Sequence, residues 1–170
     1  MKKLTLNPIG HIECGEEDFR IVLESDFKKA LLGLSDFSHV QVLWWFDQCD
    51  SDRCRGVLTV KKPYTKGPDL LGTFATRSSE RPNPIAVTSC EILWIDEDVG
   101  VIHLPYIDAE DGTPVLDLKP YTPSVDRVET VKVPDWCAHW PKSYEESGEF
   151  DWEREFNFCP PQSVSSKAEN

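Results

Sequence analysis

The stretch FSHVQVLWWFD, residues 37–47, gives the clearest indication of the fold. Its side chains fall into two alternating sets, Val40, Val42, Trp44 and Phe46 on one side and His39, Gln41, Leu43 and Trp45 on the other. Because successive side chains of a strand point to opposite faces, this alternation predicts a β-strand. Both sets are largely apolar, so we expect the strand to be covered on both faces.

Further strand patterns flank this stretch on both sides. They are LNPIGHIE (6–13), RIVLE (20–24), VLTVK (57–61), IAVTSCEILWIDED (85–98), GVIHLPYID (100–108) and DGTPVLDLKPY (111–121), and one more strand is expected over 128–133. Turn residues at 97–100 predict a hairpin, and Asp111-Gly112 is a turn signal that opens the strand after it. Because strands and helices do not alternate regularly, a doubly wound sheet is disfavoured. We predict a mainly β protein, a small single-sheet β-barrel with a few short helices.

The sequence also predicts the local structure of two other segments. SDFKKALLGL (25–34) predicts a short helix that is capped by Ser25 or Asp26 and ended by Gly33. Residues 62–84 are rich in proline and glycine and predict a long irregular connection, of the kind that is either functional or disordered.

Length and composition predict one folded domain with a C-terminal extension. Residues 1–133 form the predicted barrel domain, and 134–159 a tryptophan-rich acidic segment, with a helix near 141–146, that packs on the barrel or on a partner subunit. Residues 160–170 are expected to be disordered. No apolar run is long enough to span a membrane and the N-terminal residues do not resemble a signal peptide, so we expect a cytoplasmic protein without membrane contact.

Charge and cysteine content narrow the possible functions. The net charge of −12 argues against nonspecific binding to nucleic acid, but residues 53–81 carry seven basic and two acidic residues. That basic segment is either a solvated face or a contact for a polyanion. The six cysteines contain no Cys-x-x-Cys pair, and no metal site is predicted.

The proline loop, FATRSSERPNPIAV (74–87), combines two rigid prolines with two arginines. Pro82 and Pro84 lack N–H groups, fix their own φ angles and push the preceding residues toward extended backbone. Such a loop can form a stiff rim around a flat heterocycle, with Arg77 and Arg81 holding a carboxylate or phosphate. It can equally be a rigid edge crossing with exposed arginines.

The acidic turn, IDAEDGTP (107–114), carries Asp108, Glu110 and Asp111. Carboxylates accept hydrogen bonds from ribose hydroxyls and attract a cationic centre, although a solvated hairpin tip has the same composition. The four histidines are scattered along the chain, so no catalytic residue is predicted.

Four motifs in this order resemble one family. They are PIGHI (8–12), GLSDFSHVQVLWWF (33–46), GTFATRSSERPNPIAVTSCEIL (72–93) and DAEDGTPVLDLKPYTPSVD (108–126), and together they are similar to the TsaA-like, or TrmO-type, methyltransferases. The resemblance implies a β-barrel that binds S-adenosyl-L-methionine, a homodimer, and N6-methylation of threonylcarbamoyl-adenosine beside the anticodon of a tRNA. The basic segment 53–81 would then contact the tRNA.

Site residues follow from the resemblance by position. It places cofactor contacts at Asp47, Gln48, Arg77, Val87, Asp108, Ala109, Glu110 and Asp111. The physical features of the proline loop add Arg81, Asn83 and Pro84. A Pro-Arg-Gln element of the family is absent from CGEEDFRIVLE (14–24), where Arg20 is a possible substitute. Two alternatives stay open: a methyltransferase of this fold that acts on another substrate or a small molecule, and a non-catalytic module that binds S-adenosylmethionine.

Overall fold

The structure, a computed structural model, describes residues 4–16 and 18–157. The chain forms two compact units: the first takes in residues up to 57 together with 77–129, and the second takes in 58–76 together with the chain from 130 onward. Within the described residues no helix is both long enough and apolar enough to cross a bilayer.

In residues 4–16 and 18–157, nine strands carry most of the regular structure. They are β1 (Gly10–Cys14), β2 (Phe19–Leu23), β3 (His39–Trp45), β4 (Thr59–Lys61), β5 (Leu70–Gly72), β6 (Ile85–Glu91), β7 (Trp94–Asp96), β8 (Val101–Leu104) and β9 (Pro114–Pro120). The helices are all short. The α-helices are α1 (Asp52–Arg55), α2 (Pro123–Asp126), α3 (Tyr144–Ser147) and α4 (Trp152–Glu155), and 3₁₀ turns span Ser25–Leu31, Leu34–Asp36, Asp47–Cys49, Thr73–Ala75 and Asp135–Cys137.

The first unit is built on an antiparallel sheet of seven strands in the order β6-β3-β9-β1-β2-β8-β7. β3 pairs along its whole length with β6 and, on its other side, with β9. Val40, Val42 and Trp44 are buried and contribute to a core of mostly aliphatic side chains, as the alternation predicts. The other face of β3 is only half-buried, so the expectation of full cover on both faces is wrong.

The predicted barrel is also wrong, because the seven-stranded sheet does not close. Its two edge strands, β6 and β7, are not hydrogen-bonded to each other in the part of the chain that the structure describes. Only Ile92 and Leu93 separate these two strands in sequence, and the antiparallel order makes β6 and β7 run in the same direction. A parallel pair needs a crossover of a dozen or more residues, so these two strands cannot pair.

Local predictions had mixed outcomes. The hairpin through 97–100 is confirmed, because β7 pairs with β8. The turn at 111–112 forms without a hairpin, because β9 pairs with β1 and β3 and not with β8. Gly100 (φ 83°) and Gly112 (φ 80°) have the left-handed conformation that glycine tolerates best. The helix over 25–34 is a 3₁₀ run that follows Glu24 with no side-chain cap, so the predicted caps are wrong. The run ends at Leu31, and Gly33 (φ 81°) lies between it and the next 3₁₀ turn. No strand forms over 128–133, and the connection 62–84 contains β5, which pairs with β4.

The second unit combines the β4–β5 hairpin with an aromatic cluster, formed by Tyr64, Trp136, Trp140, Phe150, Trp152 and Phe156. Tyr64 stacks on Trp136 with ring centroids 5.1 Å apart, and Trp140 contacts both rings edge-on. The helix expected near 141–146 is α3, slightly later in the chain. Packing of residues 134–159 on the sheet domain or on a partner subunit stays a prediction, and residues 160–170 lie outside the described part of the chain.

Candidate functional site

The β3 pocket is a cavity of about 400 Å³ in the first unit, where the chain leaves β3. It is lined by Phe19, Trp44, Phe46, Asp47, Gln48, Cys49, Ser79, Tyr106, Ile107, Asp108, Ala109, Glu110 and Thr113. This volume is within the range of small-molecule sites. The lining residues come from β2, the end of β3, the proline loop and the acidic turn.

Four aromatic side chains form the walls of the β3 pocket. Trp44 and Phe46 meet edge to face with centroids 4.6 Å apart, and Phe19 meets Tyr106 in the same way at 5.5 Å. Trp44 is buried, and its indole N–H donates to the Thr88 hydroxyl at 3.0 Å. The core-facing side of β3 thus continues directly into the pocket wall.

The acidic turn is held in place by backbone hydrogen bonds. The N–H of Ala109 donates to the carbonyl of Ile107 at 2.9 Å, and the N–H of Gly112 donates to the carbonyl of Ile12 at 2.8 Å. The Cys14 N–H donates to Oδ1 of Asp111 at 2.9 Å. These contacts anchor the turn to β1, so its carboxylates are presented from a defined backbone.

A side-chain hydrogen bond links the acidic turn to the end of β3. The Gln48 amide donates from Nε2 to Oε2 of Glu110. Gln48 belongs to the 3₁₀ turn that follows β3, so this bond joins two segments that are 62 positions apart in sequence. The contact defines one side of the β3 pocket.

The β3 pocket is negatively charged. Asp47, Asp108 and Glu110 line it, and no lysine, arginine or histidine among the described residues does. Within the described residues none of these three carboxylates forms an ion pair. Unpaired carboxylates beside aromatic faces suit a positively charged organic ligand, because both attract a cation.

The same charge affects neighbouring titratable groups. Partial burial, the Asp108 charge and a hydrogen bond to Asp108 raise the pKa of Tyr106 above its ordinary value. Burial, with the Asp111 and Glu110 carboxylates, likewise raises the pKa of the Cys14 thiol. Both groups therefore stay protonated at neutral pH.

Five of the residues predicted from the sequence line the β3 pocket: Asp47, Gln48, Asp108, Ala109 and Glu110. The proline loop reaches the pocket through Ser79. The loop and the acidic turn are far apart in the sequence but contribute to one cavity, as expected.

Six predicted residues do not line the pocket: Arg77, Arg81, Asn83, Pro84, Val87 and Asp111. Arg77 donates from Nη2 to the carbonyl of Val87 at 2.6 Å, and Arg81 donates from Nη1 to the carbonyl of Ser78 at 3.2 Å. Both arginines therefore hold the backbone of their own loop and its following strand.

The prolines act through the backbone as well. Pro84 is fully buried, and its carbonyl accepts the N–H of Phe46 at 2.8 Å. The carbonyl of Asn83 accepts the N–H of Ile85 at 2.7 Å. The proline loop thus fixes the backbone of a pocket-wall residue. Arg20, the possible substitute for the missing family element, forms an ion pair with Glu13 at 3.2 Å and does not line the pocket.

The sequence did not point to several pocket residues. Phe19, Cys49, Ser79, Tyr106 and Thr113 carry no local signal, because pairing of β2 with β8 and folding of the loops bring them together. Trp44 and Phe46 could have been recognised, since they continue the buried face of β3 to its end. Within the described residues no cluster of three or more histidine, cysteine or acidic side chains could hold a metal ion.

The open antiparallel sheet and the β3 pocket define a β-sheet protein with an acidic, ligand-sized cavity at the end of a central strand. The sequence profile of the family described as tRNA-methyltransferase O N-terminal domain matches residues 5–127. The chain belongs to this family, and the predicted family resemblance is confirmed.

Known relatives agree with this assignment. The chain is 32% identical over 136 residues to the tRNA (adenine(37)-N6)-methyltransferase of Escherichia coli, which covers 79% of this chain and 55% of that protein. It is 36% identical over 118 residues to a probable S-adenosyl-L-methionine-binding protein of Archaeoglobus fulgidus, which covers 69% of this chain and 30% of the relative.

A solved structure has the same fold. The crystal structure of TrmO from Pseudomonas aeruginosa superposes with a TM-score of 0.62 at 29% identity, over 79% of this chain and 62% of the other. The chain thus spans less than two thirds of the length of each of these three proteins.

Proposed function

We propose that the protein is an S-adenosylmethionine-dependent methyltransferase that modifies N6 of an adenosine in tRNA. The observation that carries the proposal is the β3 pocket, which is lined by three carboxylates and four aromatic rings. Among the described residues these carboxylates have no ion-pair partner, and no basic side chain lines the pocket. S-adenosylmethionine supplies a methyl group on a positively charged sulfonium. The similarity to the Escherichia coli enzyme supports the reaction and the substrate.

The side chains of the β3 pocket fit this cofactor chemically. The carboxylates of Asp47, Asp108 and Glu110 can attract the sulfonium and the amino group and accept from ribose hydroxyls. The rings of Phe19, Trp44 and Phe46 can pack on the adenine. Gln48 and Ala109 complete the proposed contact set. Methyl transfer depends on alignment above all, and the anchored acidic turn and the Pro84 contact to Phe46 give the pocket a fixed frame.

Direct cofactor contacts by Arg77, Arg81, Asn83, Pro84, Val87 and Asp111 stay predictions. The hydrogen bonds of these residues support a structural role, because they hold the loops and strands around the pocket in place. Arg77 contributes in particular by holding the carbonyl of Val87 in β6.

The finer substrate that we propose is threonylcarbamoyl-adenosine beside the anticodon, in a homodimeric cytoplasmic enzyme. The tRNA would be contacted through the basic segment 53–81. Its three lysines, Lys61, Lys62 and Lys66, are exposed and belong to the second unit, whereas its four arginines belong to the first. Within this segment Arg53 pairs with Glu80 at 3.1 Å, Arg55 pairs with Asp50 and Lys62 pairs with Asp69 at 3.4 Å.

The decisive experiment mixes the protein with methyl-labelled S-adenosylmethionine and total tRNA, digests the RNA and identifies the labelled nucleoside. We expect label in an N6-methylated adenosine derivative, with the threonylcarbamoyl group retained. Asp108→Asn should lower the yield at limiting cofactor by about tenfold. The matched control is Asp36→Asn, which removes the same charge at an exposed site before β3.

Each other outcome has a defined meaning. Cofactor binding with label in another acceptor would support a methyltransferase of this fold with a different substrate. Cofactor binding with no label in any acceptor would support the non-catalytic module. Absence of saturable cofactor binding would contradict the whole proposal.

A further inference from the structure

We propose that Tyr106 is the platform on which the acceptor base stacks at the mouth of the β3 pocket. This inference rests on the proposed function, because it names the residue that would hold the nucleobase receiving the methyl group. Tyr106 lies outside the set of residues that the sequence predicted, and its position in the structure alone points to this role.

The first argument is exposure. Tyr106 is 57% exposed although it lines the pocket, whereas Trp44, which lines the same pocket, is 5% exposed. We take this combination of exposure and lining to put the Tyr106 ring at the mouth. Such a ring has apolar surface that folding leaves uncovered and that a flat ligand can cover.

The second argument is space. A volume of about 400 Å³ is at the low end for small-molecule sites and leaves room for one small ligand. If the cofactor occupies the cavity, the acceptor base has to meet it at the opening. Sequence-tolerant recognition of single-stranded RNA commonly uses aromatic rings on which bases stack.

The third argument is orientation. Phe19 contacts Tyr106 edge to face, at an interplanar angle of 79°, which occupies at most one face of the Tyr106 ring. The phenol is hydrogen-bonded to Asp108 in the anchored acidic turn. Two contacts from different elements therefore fix the ring before any ligand arrives, and a preorganised platform binds at lower entropic cost.

The state of the phenol agrees with this role. Because burial and Asp108 raise the pKa of Tyr106, the hydroxyl keeps its proton at neutral pH and stays a donor to Asp108. A phenolate would repel both that carboxylate and RNA phosphates. The neutral ring can meet an RNA loop without this repulsion.

The kinetic test compares three variants on tRNA that lacks the N6-methyl group. Tyr106→Ala should raise KM for tRNA about tenfold to a hundredfold, the range that follows from losing one base–aromatic stack, and should change cofactor affinity less than threefold. Tyr106→Phe, which keeps the ring, should stay within about threefold of the parent. The control is Phe37→Ala, which removes an exposed aromatic ring at the opposite end of β3.

A fluorescence test separates this inference from catalysis. An anticodon stem-loop with 2-aminopurine in place of adenosine 37 should be quenched on binding to the parent, to Tyr106→Phe and to Phe37→Ala, but much less with Tyr106→Ala. Thermal melts of all variants check that folding is intact. If the parent methylates tRNA and Tyr106→Ala matches Phe37→Ala in both KM and quenching, the platform role is refuted while the proposed function stands. A parent that neither quenches the probe nor methylates tRNA refutes both.

Discussion

One buried carboxylate in the second unit and three pocket carboxylates in the first differ in whether they have an ion-pair partner. In the second unit, Glu155 is buried with a side-chain exposure of 6% and accepts a hydrogen bond from His139 at 2.8 Å. In the first unit, Asp47, Asp108 and Glu110 line the β3 pocket, and no cationic partner is found for them among the described residues. The paired carboxylate sits inside an aromatic cluster, and the unpaired ones sit around a cavity.

This difference separates structural from functional charge. Burying an ionised carboxylate without a partner costs free energy. Glu155 therefore stays ionised only because neighbouring groups stabilise its charge. Burial alone would raise its pKa, but His139, Trp140 and Lys66 together bring the pKa of Glu155 below its ordinary value. Exposed carboxylates that repel one another in a pocket contribute little to the stability of the fold. Their negative charge can instead attract a cationic ligand. The comparison predicts that substitutions in the second unit change stability, whereas those in the β3 pocket change binding.

The largest effect is expected for Trp140→Ala. Trp140 contacts Tyr64, Trp136 and Trp152 with ring centroids 5.1 to 5.5 Å apart. Removing this ring from the aromatic cluster should lower the free energy of unfolding of the second unit by about 3 kcal/mol. Denaturant unfolding followed by tryptophan fluorescence measures the loss. Cofactor affinity should change less than threefold. A tenfold loss of affinity would contradict the assignment of cofactor binding to the β3 pocket alone.

The next effect is a pH dependence that Glu155 contributes. Because its pKa is lower in the folded state, the stabilisation is present above the ordinary value of 4.5 and is lost as the pH falls through the lower folded value. Glu155→Gln should lower stability by about 1 to 2 kcal/mol at pH 7 and less at pH 3. Unfolding curves of both proteins across this range provide the measurement. An equal difference at every pH would show that the charge of Glu155 has no role.

A smaller effect on stability but a clear effect on binding is expected for the double variant Asp108→Asn/Glu110→Gln. Stability should change by no more than about 0.5 kcal/mol, because these exposed groups have no ionic partner to lose. Affinity for S-adenosylmethionine should fall about tenfold in calorimetry. The control Asp36→Asn should leave both quantities unchanged. A destabilised double variant with normal affinity would contradict the account, because these carboxylates would then stabilise the fold and not bind the cofactor.

The smallest effect is the salt dependence of cofactor binding. Raising ionic strength from about 0.05 M to 0.5 M should weaken binding about threefold, because exposed charges are screened. The double variant should lose this dependence. A parent that binds equally well at both salt concentrations would indicate that the carboxylates act only as hydrogen-bond acceptors.

Much of the fold could be predicted from local pattern. β3 followed from strict alternation, and the turns at Gly100 and Gly112 followed from residues that tolerate positive φ. The barrel could not be predicted correctly, because closure depends on whether β6 and β7 can pair, and that depends on strand direction in the complete sheet. Tertiary pairing of this kind leaves no trace in any single segment.

The candidate site was predictable to a similar extent. The acidic turn and the end of β3 were found, since charged residues beside a Gly turn and at a strand end are visible in the sequence. The proline loop reaches the pocket through Ser79, whereas its arginines donate to backbone carbonyls, which no sequence pattern predicts. Phe19 and Tyr106 meet only because β2 and β8 pair, so their role needed the structure.

The most direct test is calorimetry on the parent protein with S-adenosylmethionine and with its product S-adenosylhomocysteine, a thioether whose sulfur carries no charge. If the carboxylates of the β3 pocket recognise a cation, S-adenosylmethionine should bind at one site per chain and at least fivefold more tightly than the thioether. Equal or tighter binding of the thioether, or no saturable binding of S-adenosylmethionine, would contradict the account.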